Sequence, residues 1–231
     1  MTETVAIIGA AGRLGSALAQ RIGMTGRRLV LYDLRTERLR ECLHTLLSEH
    51  PEICAEVADS ARDAGWEADI VIPAVPYDMQ MEVACAIRDV VTRKIVVSVA
   101  NPFAEPLDAV VSPTSAAEEL ARVLPHALIV KAFNTVSAAD ILQPDANGNR
   151  FDCFVAGNDD DAVATVCRLV NDVGLNPVVV GGLATSRILE GMTLLLMRVA
   201  QRCRWSDRVG WKILVPPAHT AQERRFQDVQ L

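Results

Sequence analysis

The chain has 231 residues, of which 50% are hydrophobic and 23% charged, and its formal net charge is −6. This composition excludes an intrinsically disordered chain, and the length fits a single α/β domain. The acidic balance argues against nucleic acid and anionic membranes as partners. No apolar run reaches the roughly 18 residues that a membrane-spanning helix needs, so we expect no membrane partner.

Neither the first residues nor the cysteines point to an exported protein. Residues 1–4 lack a basic leader before the first apolar segment. The six cysteines form no C-x-x-C pair and have no histidine at metal-ligand spacing. We therefore expect a cytoplasmic protein with reduced, mostly buried thiols and no metal site.

Short β-branched segments alternate with longer amphipathic ones along the chain. Strands are predicted at residues 5–8, 29–32, 70–74, 95–99, 128–132, 151–156 and 177–180. Helices are predicted at residues 13–22, 37–49, 79–91, 115–124, 162–173 and 187–202. This alternation predicts an α/β fold, a Rossmann-type, doubly wound and mainly parallel sheet. All its strands are expected to end at one edge, where ligands bind.

The C-terminal part is too short for a separate substrate domain. We predict a dinucleotide-binding domain at 1–180, a small helical cap and dimerisation segment at 181–214, and an exposed tail at 215–231. The turn-forming cluster at 144–149 predicts a hairpin or a strand crossover. An apolar stripe on the last helix indicates core or a dimer face, and we expect a homodimer.

A glycine-rich turn follows the first strand and reads G-x-x-G-x-x-G. Its glycines suit a tight turn, close approach to a pyrophosphate and close helix–strand packing, and the next helix presents its N-terminus to the phosphates. The residues predicted to hold the dinucleotide are Gly9, Ala10, Ala11, Gly12, Arg13, Leu14 and Gly15.

An acid, Asp33, stands directly after the second strand. A carboxylate there accepts the ribose hydroxyls of an adenosine and repels a 2′-phosphate, which favours NAD(H). Two nearby guanidinium groups, Arg13 and Arg35, would instead clamp a 2′-phosphate. NADP(H) therefore stays open, although the acid leans the prediction towards NAD(H).

The ends of three later strands supply the other candidates for the site. We expect Val75 and Pro76 to pack on the nicotinamide ribose, Ala100 and Asn101 to face the ring, and Asn134 and Thr135 to bind the carboxamide or the second substrate. Turn or capping roles remain open for the last two. The stretch 181–187 is a second candidate anion site, with Ser186 and Arg187 as substrate ligands, or a plain helix cap.

An obvious proton donor is missing from the predicted cleft. No Tyr-x-x-x-Lys pair exists, and none of the four histidines directly follows a predicted strand. Tyr77, Lys131 or Asp140 would have to serve, although Lys131 is otherwise expected to reach solvent past its apolar stem. Hydride transfer between two cofactor rings needs no such acid, because the protein mainly positions the rings.

In combination, several segments resemble the F-420-dependent NADP oxidoreductases across about residues 4–214. They are the glycine turn, residues 70–76, 94–98 and 132–136 with Ala-Phe-Asn-Thr, Ser-Arg at 186–187 before a helix, and 210–214. The run at 130–135 is also similar to the cytosolic reductase domain of six-transmembrane ferric reductases. This chain departs from the family at Asp33-Leu34, where the family has Ser-Arg, and at Asn134, where it has His.

The resemblance implies hydride transfer between a nicotinamide nucleotide and the 5-deazaflavin coenzyme F-420 (F420). By the same resemblance, the glycine turn holds the nucleotide, and Val75, Pro76, Asn134, Thr135, Ser186 and Arg187 border the two rings. Two alternatives stay open. One is a reductase of a small carbonyl, imine or dehydroamino substrate with Tyr77 or Lys131 as proton source, and the other is a non-catalytic NAD(P)(H)-sensing protein.

Overall fold

The structure, a computed structural model, describes residues 3–103, 109–110, 112–146, 148–206 and 208–214. The strands are β1 Val5–Ile8, β2 Leu29–Tyr32, β3 Ala55–Val57, β4 Ile70–Pro73, β5 Ile95–Ser98, β6 Leu128–Lys131, β7 Asp145–Ala146, β8 Asn149–Arg150, β9 Asp152–Gly157 and β10 Asn176–Val179. The α-helices are α1 Arg13–Gly23, α2 Thr36–Glu49, α3 Ala61–Glu67, α4 Tyr77–Ile87, α5 Ala116–Val123, α6 Ala138–Leu142, α7 Asp160–Asp172 and α8 Ser186–Cys203.

Eight strands form one twisted sheet in the order β10-β9-β6-β5-β4-β1-β2-β3. The strands from β1 to β6 in this sheet pair in parallel, with β1 between β2 and β4. The predicted Rossmann-type, mainly parallel fold is confirmed. The two short strands β7 and β8 form the antiparallel hairpin that the turn-forming cluster indicated.

The expectation that all strands end at one edge is wrong for β9 and β10. Strand β9 runs antiparallel to β6, and β10 runs parallel to β9. After β6 the chain makes only the five-residue helix α6 and the hairpin, rather than a full crossover helix. It therefore re-enters the sheet from the edge that it has just left, and β9 runs back across the sheet.

Both faces of the central strands are covered, which explains their unbroken apolar sequences. Val5 and Ile7 of β1 face a core built with α1, while Ala6 and Ile8 face the opposite core, which includes α3, α4 and α5. All four residues of β1 are buried. Such consecutive burial is typical of parallel strands between two helical layers.

Most predicted elements lie within two residues of their observed bounds, but α4 begins at Tyr77 and ends at Ile87, earlier than predicted. Strand β3 and helices α3 and α6 were not predicted. β3 has three partly exposed residues, and α3 has seven with a glycine inside, so their periodic signal is short. Ser60 nevertheless caps α3 by accepting the Asp63 N–H.

The chain turns back at the end of α8, where Arg204 has a φ of 54°. The described residues 204–206 and 208–214, called here the C-terminal strap, return to the start of β9, where the Asp152 N–H donates to the Trp211 carbonyl at 2.9 Å. Residues 215–231, predicted as an exposed tail, lie outside the described residues, and the domain boundary near 181 stays a prediction. Among the described helices, none combines the length and hydropathy of a membrane span.

Candidate active site

The glycine turn has the geometry that a dinucleotide phosphate site needs. Gly9 has a φ of +91°, and a Cβ there would lie 2.5 Å from the Ala74 carbonyl oxygen. A Cβ on Gly15 would lie 2.2 Å from the Gly9 carbonyl oxygen. Gly12 precedes α1 and has no side chain to cap it, so the first N–H groups of α1 face the cleft. Backbone donors in this arrangement suit an anion.

Asp33, at the end of β2, is only 6% exposed and is already held by hydrogen bonds. Its carboxylate accepts the Ala11 N–H at 3.0 Å, the Arg35 N–H at 2.9 Å and the Arg35 Nε–H at 3.1 Å. Burial alone would raise the pKa of Asp33, but the hydrogen bonds from Arg35 and Ala11 outweigh it and lower that pKa. The acid therefore meets a nucleotide as half of an ion pair, and the leaning to NAD(H) has no support from this geometry.

Two adjoining cavities lie along the cleft edge of the sheet. The first has a volume of about 650 Å³ and is lined by Gly9, Gly12, Arg13, Leu14, Asp33, Arg35, Val75, Pro76 and Ala100, among others. The second has a volume of about 590 Å³, and its lining includes Asn101, Asn134 and Thr135. Arg13, Leu14 and Val99 border both cavities. Each is large enough for a cofactor-sized ring system.

Two walls of the second cavity are not predicted by the sequence. They come from α8 and from the C-terminal strap, and include Thr193, Leu196, Met197, Ala200, Trp205 and Val209. The apolar spacing of α8 was visible, but its direction was not. Because β9 and β10 are reversed, α8 runs towards the cleft edge and brings its end over the cavity.

Asn134 lies at the centre of a hydrogen-bond network between β6, the end of β5 and α8. Its Nδ2 donates to Asn101 Oδ1, Thr193 Oγ1 and the Leu189 carbonyl, each at 3.1 Å. Within the described residues, Asn134 Oδ1 and Thr135 Oγ1 are buried without a partner. Both residues line the second cavity, and unpartnered buried polar atoms are costly.

Three predicted residues lie away from both cavities. The Tyr77 hydroxyl donates to Glu119 at 2.7 Å, and burial together with this carboxylate raises the pKa of Tyr77 to about 12. Ser186 is buried at the start of α8, and Arg187 donates to the Glu118 carboxylate at 2.6 Å and 2.8 Å. The stretch 181–187 follows the end of β10 that points away from the cleft, so it cannot reach a ligand there.

The other two proton-donor candidates are also engaged. The expectation that Lys131 reaches solvent is wrong, because its side chain is fully buried in an ion pair with Glu190 at 2.7 Å. Asp140 is buried and forms a capping box with Ser137 at the start of α6. Neither side chain belongs to the described lining of the two cavities.

Comparison with known proteins supports the resemblance. Residues 4–102, which carry the glycine turn and the first cavity, match the model of the family described as NADP oxidoreductase, coenzyme F420-dependent. The match covers the nucleotide-binding part of the chain, 99 of its 231 residues. The protein is accordingly an oxidoreductase, and the resemblance drawn from the glycine turn and the Ala-Phe-Asn-Thr run is confirmed.

Longer matches extend the likeness beyond residue 102. The F420-dependent NADP reductase of Methanothermobacter thermautotrophicus is 29% identical over 219 residues, covering 88% of this chain and 92% of that protein. A crystal structure from Arthrobacter sp. FB24, provisionally described as an F420-dependent NADP reductase, superposes with a TM-score of 0.79 at 25% identity, covering 91% of this chain and 99% of the other. Metalloreductase STEAP3 of Rattus norvegicus is 33% identical over 113 residues, which are 49% of this chain and 22% of that protein.

Proposed function

We propose that the protein transfers a hydride between NADP(H) and the deazaflavin F420. The observation that carries this proposal is the pair of adjoining cavities, one beside the glycine turn and one walled by apolar and neutral polar side chains. Within the described lining of the second cavity, the charged side chain is that of Arg13, which borders both cavities. Such a site holds two ring systems side by side without an acid at the reacting carbon.

The first cavity suits the nicotinamide nucleotide. The N-terminus of α1 would bind the pyrophosphate, with Gly9, Gly12 and Gly15 allowing its close approach. Arg35 has a half-exposed side chain at the mouth of this cavity, and its guanidinium suits bidentate binding of a 2′-phosphate. The nicotinamide ring would then lie beside Val75, Pro76 and Ala100, towards the second cavity.

The second cavity suits the deazaflavin. NADPH supplies the hydride, and the ring of F420 accepts it. Among the described residues that line the second cavity, Asn134 and Thr135 each carry a buried oxygen without a partner, and these side chains would orient the carboxamide or the acceptor ring by hydrogen bonds. The apolar wall from α8 and the C-terminal strap would exclude water from the transfer.

The two alternatives have weaker support. A reductase of a small carbonyl, imine or dehydroamino substrate needs a proton donor at the reacting atom. Tyr77, Lys131 and Asp140 are each bonded elsewhere and lie off the described cavity linings. A nucleotide-sensing protein has no need for a second ring-sized cavity beside the first.

A turnover assay with oxidised F420, run in parallel with NADPH and NADH, tests the proposal. We expect NADPH to bleach the deazaflavin absorbance faster than NADH. Absence of bleaching with either nucleotide, together with tight NADPH binding measured by fluorescence in the same sample, would refute deazaflavin as the acceptor. Assays with small carbonyls, imines and dehydroamino compounds would then follow.

A further inference from the structure

A fully buried ion pair lies near the boundary between the two cavities. Lys131 is the last residue of β6, Glu190 lies in α8, and neither is exposed. Lys131 Nζ donates to Glu190 Oε1 at 2.7 Å and to the Ala100 carbonyl oxygen at 2.5 Å. The lysine therefore joins the carboxylate to the chain that follows β5.

Glu190 completes the connection to a further helix. Its Oε1 accepts the Ala116 N–H at 3.0 Å, at the first residue of α5. A carboxylate in this place satisfies an N–H group that has no partner within the helix. The ion pair thus ties together four elements, which are the end of β5, the end of β6, the start of α5 and the inner face of α8.

The backbone that Lys131 holds belongs to the cleft itself. Ala100 lines the first cavity and Asn101 lines the second. Asn101 Nδ2 donates to the Asn134 carbonyl at 3.2 Å, and Asn134 Nδ2 donates to Asn101 Oδ1 at 3.1 Å. Thr193, one turn after Glu190 on α8, donates its hydroxyl to the same Asn134 carbonyl at 3.0 Å. The position of the Ala100–Asn101 peptide therefore depends on the ion pair.

Stability alone is a poor explanation for such a pair. The desolvation of two buried charges offsets much of their attraction, and well-packed apolar residues often replace a buried pair with little loss of stability. Hydride transfer, in contrast, depends steeply on the separation of donor and acceptor, and a displacement of about 1 Å can cost about 100-fold in rate. A rigid carbonyl at the boundary between the cavities meets that requirement.

We propose that Lys131 and Glu190 are positioning residues that fix the Ala100–Asn101 peptide, so that the rings in the two cavities meet in a reactive geometry. They act through this peptide and through Asn134, and their side chains lie off both described cavity linings. The inference rests on the proposed function where it is tested by the rate of F420 reduction. A second measurement, the circular dichroism of bound NADPH, needs only the bound nucleotide.

The test uses the double variant Lys131→Met/Glu190→Leu, which removes both charges and keeps similar volumes. Four properties are compared with the parent: the melting temperature, the NADPH dissociation constant, the single-turnover rate of F420 reduction and the circular dichroism of bound NADPH. The dichroism is measured in the dihydronicotinamide band, where it reports the ordering of the ring. The control is Glu118→Gln, which removes the negative charge from the partly exposed Arg187–Glu118 pair between the same two helices, α5 and α8.

We expect the double variant to bind NADPH within about threefold of the parent, but to reduce F420 at least about tenfold more slowly and to lose the dichroic band. The control should match the parent in all four measurements. If the double variant does not fold, Glu190→Gln, which keeps an acceptor for Ala116 and Lys131, should show the same loss in smaller degree.

Retention of both the parental rate and the dichroic band in a folded variant would overturn the positioning role, while the proposed function would stand. If the parent itself fails to reduce F420, the proposed function fails. The dichroic band of bound NADPH then decides the positioning role alone: its loss in the variant supports the role, and its retention refutes it.

Discussion

Arg35 folds its guanidinium onto Asp33, so the acid at the end of β2 does not face a bound nucleotide alone. The position of this acid was predictable, because it follows an apolar strand at a fixed place after the glycine turn. Its ion pair was not, since the pairing depends on the turn that brings the Arg35 N–H and Nε–H to one carboxylate oxygen. A bound nucleotide therefore meets a neutral ion pair at this position rather than a single negative charge.

The variant Arg35→Ala should weaken NADPH binding by about tenfold or more and NADH binding much less. It removes the guanidinium proposed for the 2′-phosphate and leaves the Asp33 charge uncompensated beside it. Fluorescence titrations with both nucleotides measure the effect, and Arg38→Ala, an exposed arginine one turn further along α2, is the matched control. Asp33→Ser should shift the preference in the opposite direction, towards NADPH. An equal change for both nucleotides in either variant would remove the pair from the account.

The Tyr77 hydroxyl is a poor proton donor. Because it donates to Glu119 and its pKa is raised to about 12, it remains protonated, and a poor acid, throughout the range from about pH 7 to 10. Tyr77→Phe should leave the rate of F420 reduction within about twofold and lower the free energy of unfolding by about 1 kcal/mol. A loss of tenfold or more in rate, with a pH dependence that vanishes in the variant, would favour the small-carbonyl alternative.

Contacts with the start of β9 hold the C-terminal strap against the second cavity. Asp152 at the start of β9 is almost fully buried and accepts the Lys212 ammonium at 2.9 Å and the Ile213 N–H at 2.6 Å. Gly210 packs so closely on Phe151 that a Cβ would lie 2.5 Å from a ring carbon. These contacts hold Trp205 and Val209 of the same strap against the second cavity.

The variant Gly210→Ala should therefore raise the KM for F420 several-fold, because the added methyl group pushes the strap away from Phe151. NADPH binding should not change, since the described lining of the first cavity includes no residue of the strap. The matched control is Gly191→Ala, at a helical glycine whose Cβ would meet nothing within 4 Å. A parental KM in a folded Gly210→Ala protein, or an equal effect on NADPH, would show that the strap does not shape the acceptor site.

The sequence predicted the elements of the fold better than their directions. A strand that is buried on both faces reads as an apolar run whether it pairs in parallel or antiparallel, so β9 carries no sign of its reversal. That reversal moved the 181–187 stretch away from the cleft and brought the end of α8 towards it. In the site, the glycine turn and the strand ends were predictable from spacing. The walls made by α8 and the strap depend on tertiary packing and were not.

The outer face of α8 carries exposed apolar side chains on the surface of the molecule. Ile188 is 65% exposed and Leu195, two turns further, is 52% exposed, with the partly buried Met192 and Val199 between and after them. Exposed apolar side chains at helical spacing are typical of an interaction face, and the homodimer itself stays a prediction. The predicted homodimer would use this face.

Leu195→Glu should convert the dimer to a monomer, because it places a charge in the apolar stripe. Light scattering should give twice the 25.1 kDa chain mass for the parent and the chain mass for the variant. Arg40→Glu, an exposed charge reversal on α2, serves as control and should remain dimeric. A parent that is monomeric at micromolar concentration would refute the dimer.

Direct transfer of hydride between two rings is the reaction proposed for the adjoining cavities. The most direct measurement runs the reaction in ordinary water with NADPH that carries deuterium at C4. Mass spectrometry then shows whether the label is in the reduced F420. Separate reactions with the label on each face of the ring cover both possible stereochemical courses. We expect deuterium in the reduced deazaflavin from one of the two labelled nucleotides, with a slower single-turnover rate for that nucleotide. Reduced F420 without deuterium from either nucleotide would contradict direct transfer between the cavities.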